Sequence, residues 1–390
     1  MDNLKAFLIF IAVVLAVYGG TNFYLYRRIL QTVHPSGAGG VVLRGVLLLL
    51  MLAYPLGRTL GSNSAVGTVL VWVGSFWLAA VLYGLMIALT FDLVRWGDFL
   101  FGWLPDWMNA DRVQAGRMVV AGSVVVVGML LVSGYIRASN PLLREIEISL
   151  DKMPPGVGEY HIALLADTHL GALFGKRRLE RIVEQVNSID PDLVLIVGDL
   201  IDEKPAGLHW VIEPLRKLRS RDGVFVVTGN HELYGGVSEF ARLTDAAGIR
   251  LLRDEAVKID GRFILAGLDY RMGLEQHRTD DPPISEVIGR ASGLPVVLME
   301  HSPRRKREAR DCGVDLMLCG HTHGGQLWPI GYLTSWIFGV RQGLSRYGKM
   351  QVFVTNGVGT WGPPVRIAAP SEVVHLILEP SDTPGADYEP

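Results

Sequence analysis

The segment VDLMLCGHTHGGQLW, Val314 to Trp328, sets an apolar run directly before two histidines one residue apart. A plain turn would need only the glycines, so His321 and His323 call for a reason of their own. The run Val314–Gly320 reads as a buried strand with a turn after it. Two imidazoles just past a strand end are candidate metal ligands.

The pattern recurs along the C-terminal part of the chain. YHIALLA (Tyr160 to Ala166) leads into Asp167 and His169. DLVLIVG (Asp192 to Gly198) leads into Asp199 and Asp202, and GVFVVTG (Gly223 to Gly229) into Asn230 and His231. PVVLME (Pro295 to Glu300) leads into His301. REIEISL (Arg144 to Leu150) alternates as a half-buried strand does, and RFILAG (Arg262 to Gly267) reads as another buried one. Helical patterns fall between them at 176–188 and 208–220. SPRRKREARDCG predicts a further helix, with Ser302 as N-cap, Pro303 at the first helical position and Gly313 closing it. Alternating strands and helices predict an α/β domain over residues 141–380, followed by a disordered tail at 381–390. Ligands of open α/β sheets bind at the carboxyl ends of the strands, so five such loops would converge on one cleft. Each fragment alone has a plainer reading: a capped turn, an Asx turn, a left-handed turn, a satisfied core histidine. Among these, four histidines (His169, His301, His321, His323), two aspartates (Asp167, Asp199) and Asn230, all placed just past apolar strands, argue against coincidence.

Residues 1–140 have another character. Hydrophobic residues make up 49% of the chain and its mean hydropathy is positive, which points to membrane segments. The excess lies in four charge-poor stretches, Leu4–Tyr26, Val42–Leu60, Ala65–Phe91 and Gly116–Ile136. Each meets the roughly 20 residues needed to cross a bilayer as a helix. Arg27, Arg28, Arg58, Arg95, Arg117 and Arg137 sit at their ends, where they can snorkel to headgroups. DLVRWGDFLFGWLPDWMNADR, Asp92 to Arg112, mixes tryptophans with carboxylates as interfacial segments do. The first stretch lacks a cationic start and an Ala-x-Ala-like site, so it predicts a retained span rather than a signal peptide. An α-helical transmembrane domain of about four spans therefore precedes the α/β domain. Lys5 before the first span and Arg27 and Arg28 after it place the α/β domain on the extracytoplasmic side of an integral membrane protein. A net charge of −2 argues against a nucleic-acid partner. The only cysteines, Cys312 and Cys319, exclude a disulfide framework and any multi-cysteine metal site.

The ordered set DTH, GDLID, GNHE, EHS and GHTHGGQ resembles the calcineurin-like metallophosphoesterase family, and the resemblance runs from Arg144 to Glu379. VTNGVGTWGPPVRIAAPSEVVHLIL, toward the C-terminus, is similar to the membrane-associated branch of that family. The resemblance implies a four-layer α/β/β/α sandwich and two divalent metal ions. Oxygen and imidazole donors without thiolates suit Mn, Fe or Zn. Carried over by motif, Asp167, His169, Asp199 and His323 would hold one ion, and Asp199, Asn230, His301 and His321 the other, with Asp199 as the bridge. Such a pair lowers the pKa of a shared water, making hydroxide available for in-line attack on phosphorus, and absorbs the charge that grows in the transition state. The resemblance implies that His231 protonates the leaving oxygen and that Asp202 orients it. The glycines of the last motif are expected to let the backbone approach a phosphate.

The family's protein phosphatases carry an arginine after the second aspartate of the Gly-Asp motif, where this chain has Glu203. They carry another before Gly-Asn-His, where it has Thr228 and Gly229. Both losses remove bidentate phosphate contacts and disfavour a protein substrate. The uncharged stretch LWPIGYLTSWIFGV, Leu327 to Val340, reads either as a buried strand or hairpin or as an apolar lip beside the metals. RRKR at 304–307 reads as a solvated helix face or as a magnet for anionic headgroups. With the spans, these features predict a lipid-linked phosphate ester, phosphodiester or pyrophosphate as substrate. Two alternatives stand beside it: a membrane-tethered phosphodiesterase acting on soluble nucleotides or nucleic acid, and a non-catalytic membrane sensor or scaffold.

Overall fold

The computed structural model describes residues 2–61, 64–154, 156–202, 207–271, 281–289 and 293–381, with backbone alone at 2–11 and 14. Most of the tail expected to be disordered, from residue 382 onward, lies outside the described residues. The chain divides after Gly134 into two compact units.

The first unit is helical: α1 (Asp2–Val33), α2 (Gly37–Leu60), α3 (Ala65–Phe101), the short α4 (Asp106–Ala110) and α5 (Arg112–Ser139). Among the described residues, α2, α3 and α5 are long and apolar enough to cross a membrane. The fourth expected span falls on α1, much of whose side-chain detail lies outside the described residues. α3 continues ten residues past the expected end at Phe91 and closes at a left-handed Gly102. Its 37 residues make about 55 Å of helix, well beyond an apolar core of about 30 Å. The interfacial reading of the segment after Phe91 is thus met by a continued helix. Inside the unit, small residues permit close contact: Gly74 lies against the Tyr54 backbone and Gly57 against Val71. Polar groups are paired between helices. Trp77 donates to the buried Asn22 at 2.9 Å, and Asp92 takes both the Tyr24 hydroxyl and Arg28.

The second unit runs β1 (Leu142–Leu150), β2 (Tyr160–Leu165), α6 (Lys176–Asn187), β3 (Leu193–Val197), α7 (Ile212–Leu215), β4 (Val224–Val227), α8 (Asn230–Gly235), α9 (Val237–Ala246) and β5 (Arg250–Leu251). It continues through β6 (Glu255–Ile259), β7 (Phe263–Gly267), α10 (Ile284–Ile288), β8 (Val296–Met299), α11 (Lys306–Asp311) and β9 (Leu316–Cys319). It ends with α12 (Ile330–Phe338), β10 (Gly343–Tyr347), β11 (Met350–Val354) and β12 (Glu372–Pro380). One six-stranded sheet has the order β1-β12-β2-β3-β4-β5, the other β10-β11-β9-β8-β7-β6. The neighbours from β2 to β5 and from β11 to β7 are parallel; β12–β2, β10–β11 and β6–β7 are antiparallel.

Period-two burial explains the layering. Leu164, Leu195, Val197 and Leu376 of the first sheet face Leu265, Val297, Leu318 and Phe353 of the second. The opposite faces bury Val194 and Ile196 under α6, α7 and α9, and Leu298 and Met317 under α10 and α11. This is the expected α/β/β/α arrangement. Every strand expected from the sequence is present; β5, β6, β10, β11 and β12 were not among them. β12 is the one with the most distant partners. It inserts between β1 and β2 by pairing parallel to the first and antiparallel to the second.

Three local expectations are corrected. The helix expected at 208–220 is a 3-10 turn, His209–Val211, with one short turn of α7, because Pro214 brings no amide hydrogen to a continuous ladder. Ser302 does not cap a helix. α11 starts at Lys306, and Arg305 reaches forward to Glu308 through two bonds of 2.9 Å. The stretch Leu327–Val340 is neither strand nor hairpin but carries the helix α12. Leu376→Ala, which empties a fully buried site between the sheets, is expected to cost about 2–5 kcal/mol. Thermal unfolding in detergent should show a lowered transition for it and an unchanged one for Leu344→Ala at an exposed strand position.

Candidate metal centre

The loops that follow β2, β3, β4, β8 and β9 meet at one point where the two sheets' strand ends come together. Asp167, His169 and His323 form one group whose donor atoms lie within 4.8 Å of one another. Asp199, His301 and His321 form a second, and His169, Asp199 and His231 a third. All the sequence-predicted site residues other than Asn230 and Asp202 thus fall in these groups, and those two adjoin them.

The donor atoms converge closely enough for one cation to reach each group. His169 Nε2 faces His323 Nε2 at 3.1 Å, and Asp167 Oδ1 lies 3.6 Å from the latter. His301 Nε2 lies 3.1 Å from Asp199 Oδ2 and 3.3 Å from His321 Nδ1. Asp199 Oδ2 is also 3.9 Å from His169 Nε2, which puts one carboxylate oxygen between the two groups. Its other oxygen accepts the His231 amide at 2.9 Å. His301 Nδ1 donates to the Val197 carbonyl at 2.8 Å, so Nε2 keeps its lone pair for the centre. The buried Asn230 Oδ1 has no hydrogen-bond partner, an acceptor that a cation would satisfy. The donor set, oxygen and imidazole without thiolate, therefore fits divalent metal.

Backbone conformation carries the same message. Asp167, His169, Asp199, His321 and His323 all have φ between 49° and 69°. Such left-handed residues cost about 1–3 kcal/mol each and persist where surrounding structure holds them. For Asp199 that hold is Glu232, fully buried, which accepts the amides of Asp199 (2.9 Å), Gly229 (2.7 Å) and Ile201 (3.1 Å). Burial, with the charge of Asp199, pushes its carboxyl up to about 7.

Electrostatics separates the histidines. Burial, with the charge of His301, pushes His321 down to about 3. Burial, His169 and Arg366 hold His323 well below the ordinary imidazole value. Both rings are neutral at pH 7, as ligands must be. His301 is opposed by burial but driven up to about 10 by Asp199 and Asp167. His231 Nδ1 lies 3.0 Å from Asp202 Oδ1, and against its burial Asp202 and Asp199 raise its pKa. Burial raises Asp202, yet hydrogen bonds from His169 and His231 hold it well below the usual carboxylate range.

Sequence reasoning missed three residues that shape the centre. Glu232 stands inside the quoted GNHE motif, and its place beside Asn230 and His231 was the available signal. Tyr270 follows β7, and its ring stands 5.8 Å from His301 and 6.2 Å from His321. The rule of strand ends, extended to β7, would have found it. Arg366 left no such trace. It is fully buried and directs its donors at main-chain carbonyls: Gly359 (2.9 Å), His323 (3.2 Å), Ala369 (3.2 Å) and Asn356 (2.7 Å). The glycine pair Gly324–Gly325, expected to make room for a phosphate, makes room for the chain itself. A Cβ at 324 would meet Asn356 and Ala369, and one at 325 the backbone of Gly331. Thr228, at the place of a phosphatase arginine, is buried and donates to Asp269 at 2.7 Å. Glu203 lies outside the described residues.

A family model for calcineurin-like phosphoesterases matches residues 160–325. A Helicobacter pylori protein described as an uncharacterized metallophosphoesterase is 35% identical over 251 residues, covering 64% of this chain and 66% of its own. An Aquifex aeolicus protein of the same description is 35% identical over 239 residues, covering 60% and 89%. The transmembrane protein with metallophosphoesterase domain of Danio rerio is 32% identical over 254 residues, covering 62% and 58%. The chain thus spans less than two thirds of the length of the Helicobacter and Danio relatives.

Arg366→Lys keeps the charge but cannot reach all of these carbonyls. Hydrogen bonds to charged groups contribute about 1.5–3 kcal/mol each, so a loss of about 3 kcal/mol is expected. Thermal unfolding in detergent would read this as a fall of about 6–12 °C.

Proposed function

We propose a hydrolytic role for this chain, which belongs to the calcineurin-like metallophosphoesterase family: metal-dependent cleavage of a phosphate ester, phosphodiester or pyrophosphate bond. The observation that carries it is Asp199 Oδ2, set between His169 and His301 so that one carboxylate serves both donor groups.

In this reading Asp167, His169, Asp199 and His323 hold one divalent ion, and Asp199, Asn230, His301 and His321 the other. When bound, the ions supply Lewis-acid charge and an activated water. The protein's own work is positional. Glu232 fixes the loop amides around Asp199. His301 is locked through Val197, and His321 and His323 are kept neutral by burial. His231 carries the proton for the leaving oxygen on Nε2, while Asp202 holds Nδ1 and raises the ring's affinity for that proton.

The substrate is a lipid-linked phosphate. Support comes from the membrane-type helices and from α12, whose Phe338 ring stands 5.5 Å from His321, so that an apolar surface begins next to the metal site. The domain sits on the extracytoplasmic side, as the charges around the first span direct. External protease on intact cells should then cleave it; protection until lysis would refute that placement.

His231→Ala is expected to retain its metal and lose about 10²–10⁴-fold in turnover. Asp199→Asn is expected to lose both metal and turnover. Metal analysis and rates in nanodiscs check both, and full turnover in metal-replete His231→Ala would remove the acid role. A phosphate-ester panel on the same preparation is expected to favour lipid phosphates. Preference for soluble nucleotides would favour the tethered phosphodiesterase, and no turnover with metal bound would favour the scaffold.

A further inference from the structure

α12 is built inside out. Its nine residues, IGYLTSWIF, carry no charge, and none is buried. Tyr332, Leu333, Trp336 and Ile337, spaced to share one helix face, are 74%, 53%, 80% and 58% exposed. Gly331, Thr334, Ser335 and Phe338 are the more sheltered residues, and Gly331 lies against the Gly325 backbone. A helix packed on a water-soluble domain turns its apolar face inward. This one turns Gly331, Thr334 and Ser335 toward the domain, with Phe338 at its end beside His321, and its other large apolar residues away from it. Trp328 and Ile330, also exposed, extend the surface at the N-terminal end.

The rim is basic. The Arg304 guanidinium stands 5.9 Å from the Phe338 ring centre, and Lys306 donates to the Phe338 carbonyl. Arg341 and Arg346 line a groove of about 1000 Å³ beside the helix. From Leu327 to Lys349 the chain has three cations, Arg341, Arg346 and Lys349, and no Asp or Glu. An apolar face with tryptophan and tyrosine inside a cationic border matches the boundary between acyl chains and anionic headgroups. α5 ends at Ser139 and β1 begins at Leu142, three residue steps that span at most about 10 Å.

We propose that α12 is an interfacial helix, seated in the headgroup layer of the bilayer that the long apolar helices cross, with Tyr332, Leu333, Trp336 and Ile337 turned into lipid. The partner is the lipid surface itself. The proposal rests on reading α2, α3 and α5 as spans and does not depend on the substrate. It gives the metal centre a fixed relation to the membrane, because Phe338 at the end of α12 packs against the His321 ring.

The test uses the full chain with Cys312→Ser, in nanodiscs of phosphatidylcholine and phosphatidylglycerol. A nitroxide is placed at Trp336→Cys or Leu333→Cys, with Arg242→Cys, 75% exposed on α9, as a water-facing control and Val124→Cys on α5 as a lipid-facing one. Collision rates with oxygen and with a water-soluble nickel chelate are compared. Oxygen is expected to dominate at 333, 336 and 124, and the nickel chelate at 242. Nickel dominance at 333 and 336 with oxygen dominance at 124 overturns the proposal alone. Nickel dominance at 124 as well removes the span reading and the proposal with it. Suppression of both collisions at 336 with spin–spin broadening shows a second copy on this face and also overturns it.

Discussion

The carboxylate of Asp199 is the constraint on which the rest of the centre depends. One oxygen takes the His231 amide, and the other faces His301 at 3.1 Å and His169 at 3.9 Å. The residue stands in a left-handed backbone conformation, held by the Glu232 bond to its own amide. Gly229 is required beside it, because a Cβ there would collide with the carboxylate. Three strand ends are thereby tied to one oxygen pair before any ion is considered.

Such a concentration of buried donors is costly unless their charge is compensated. Neutral His321 and His323, His301 and the carboxylates of Asp167 and Asp199 crowd one small volume. Uncompensated charge in such a place is expensive, and divalent ions convert the repulsion into coordination. The buried Arg366 contributes from behind. It adds positive charge that helps keep His323 neutral, and it fastens the His323 loop to the Asn356–Gly359 segment through carbonyls.

The helical unit obeys a different solvent. Its large apolar side chains face outward, and its polar residues find partners between helices, as with Asn22 and Trp77 or Asp92 with Arg28 and Tyr24. α12 applies the same outward rule on the phosphoesterase domain, where a water-facing helix would reverse it.

The order of strands, the polar residues just past their ends and the long apolar runs were legible in the sequence, because period-two burial and span length are local properties of the chain. That legibility extends to the residues the structure gathers into donor groups and to the approach of His231 to Asp202. It failed for short local strands, β6 and the β10–β11 hairpin, whose polar and apolar residues are mixed, and where the partner is distant. β12 is defined by its neighbours β1 and β2, more than two hundred residues earlier. Arg366 matters only because folding carries it behind His323, and α12 is a helix whose exposed face no periodicity could separate from a buried one. By itself the sequence determined which donors are available and that they follow strands. The packing of two sheets decided that those donors meet, which oxygen they share and which apolar surface stays bare, because through-space distance between loops is set by the core beneath them and not by spacing along the chain.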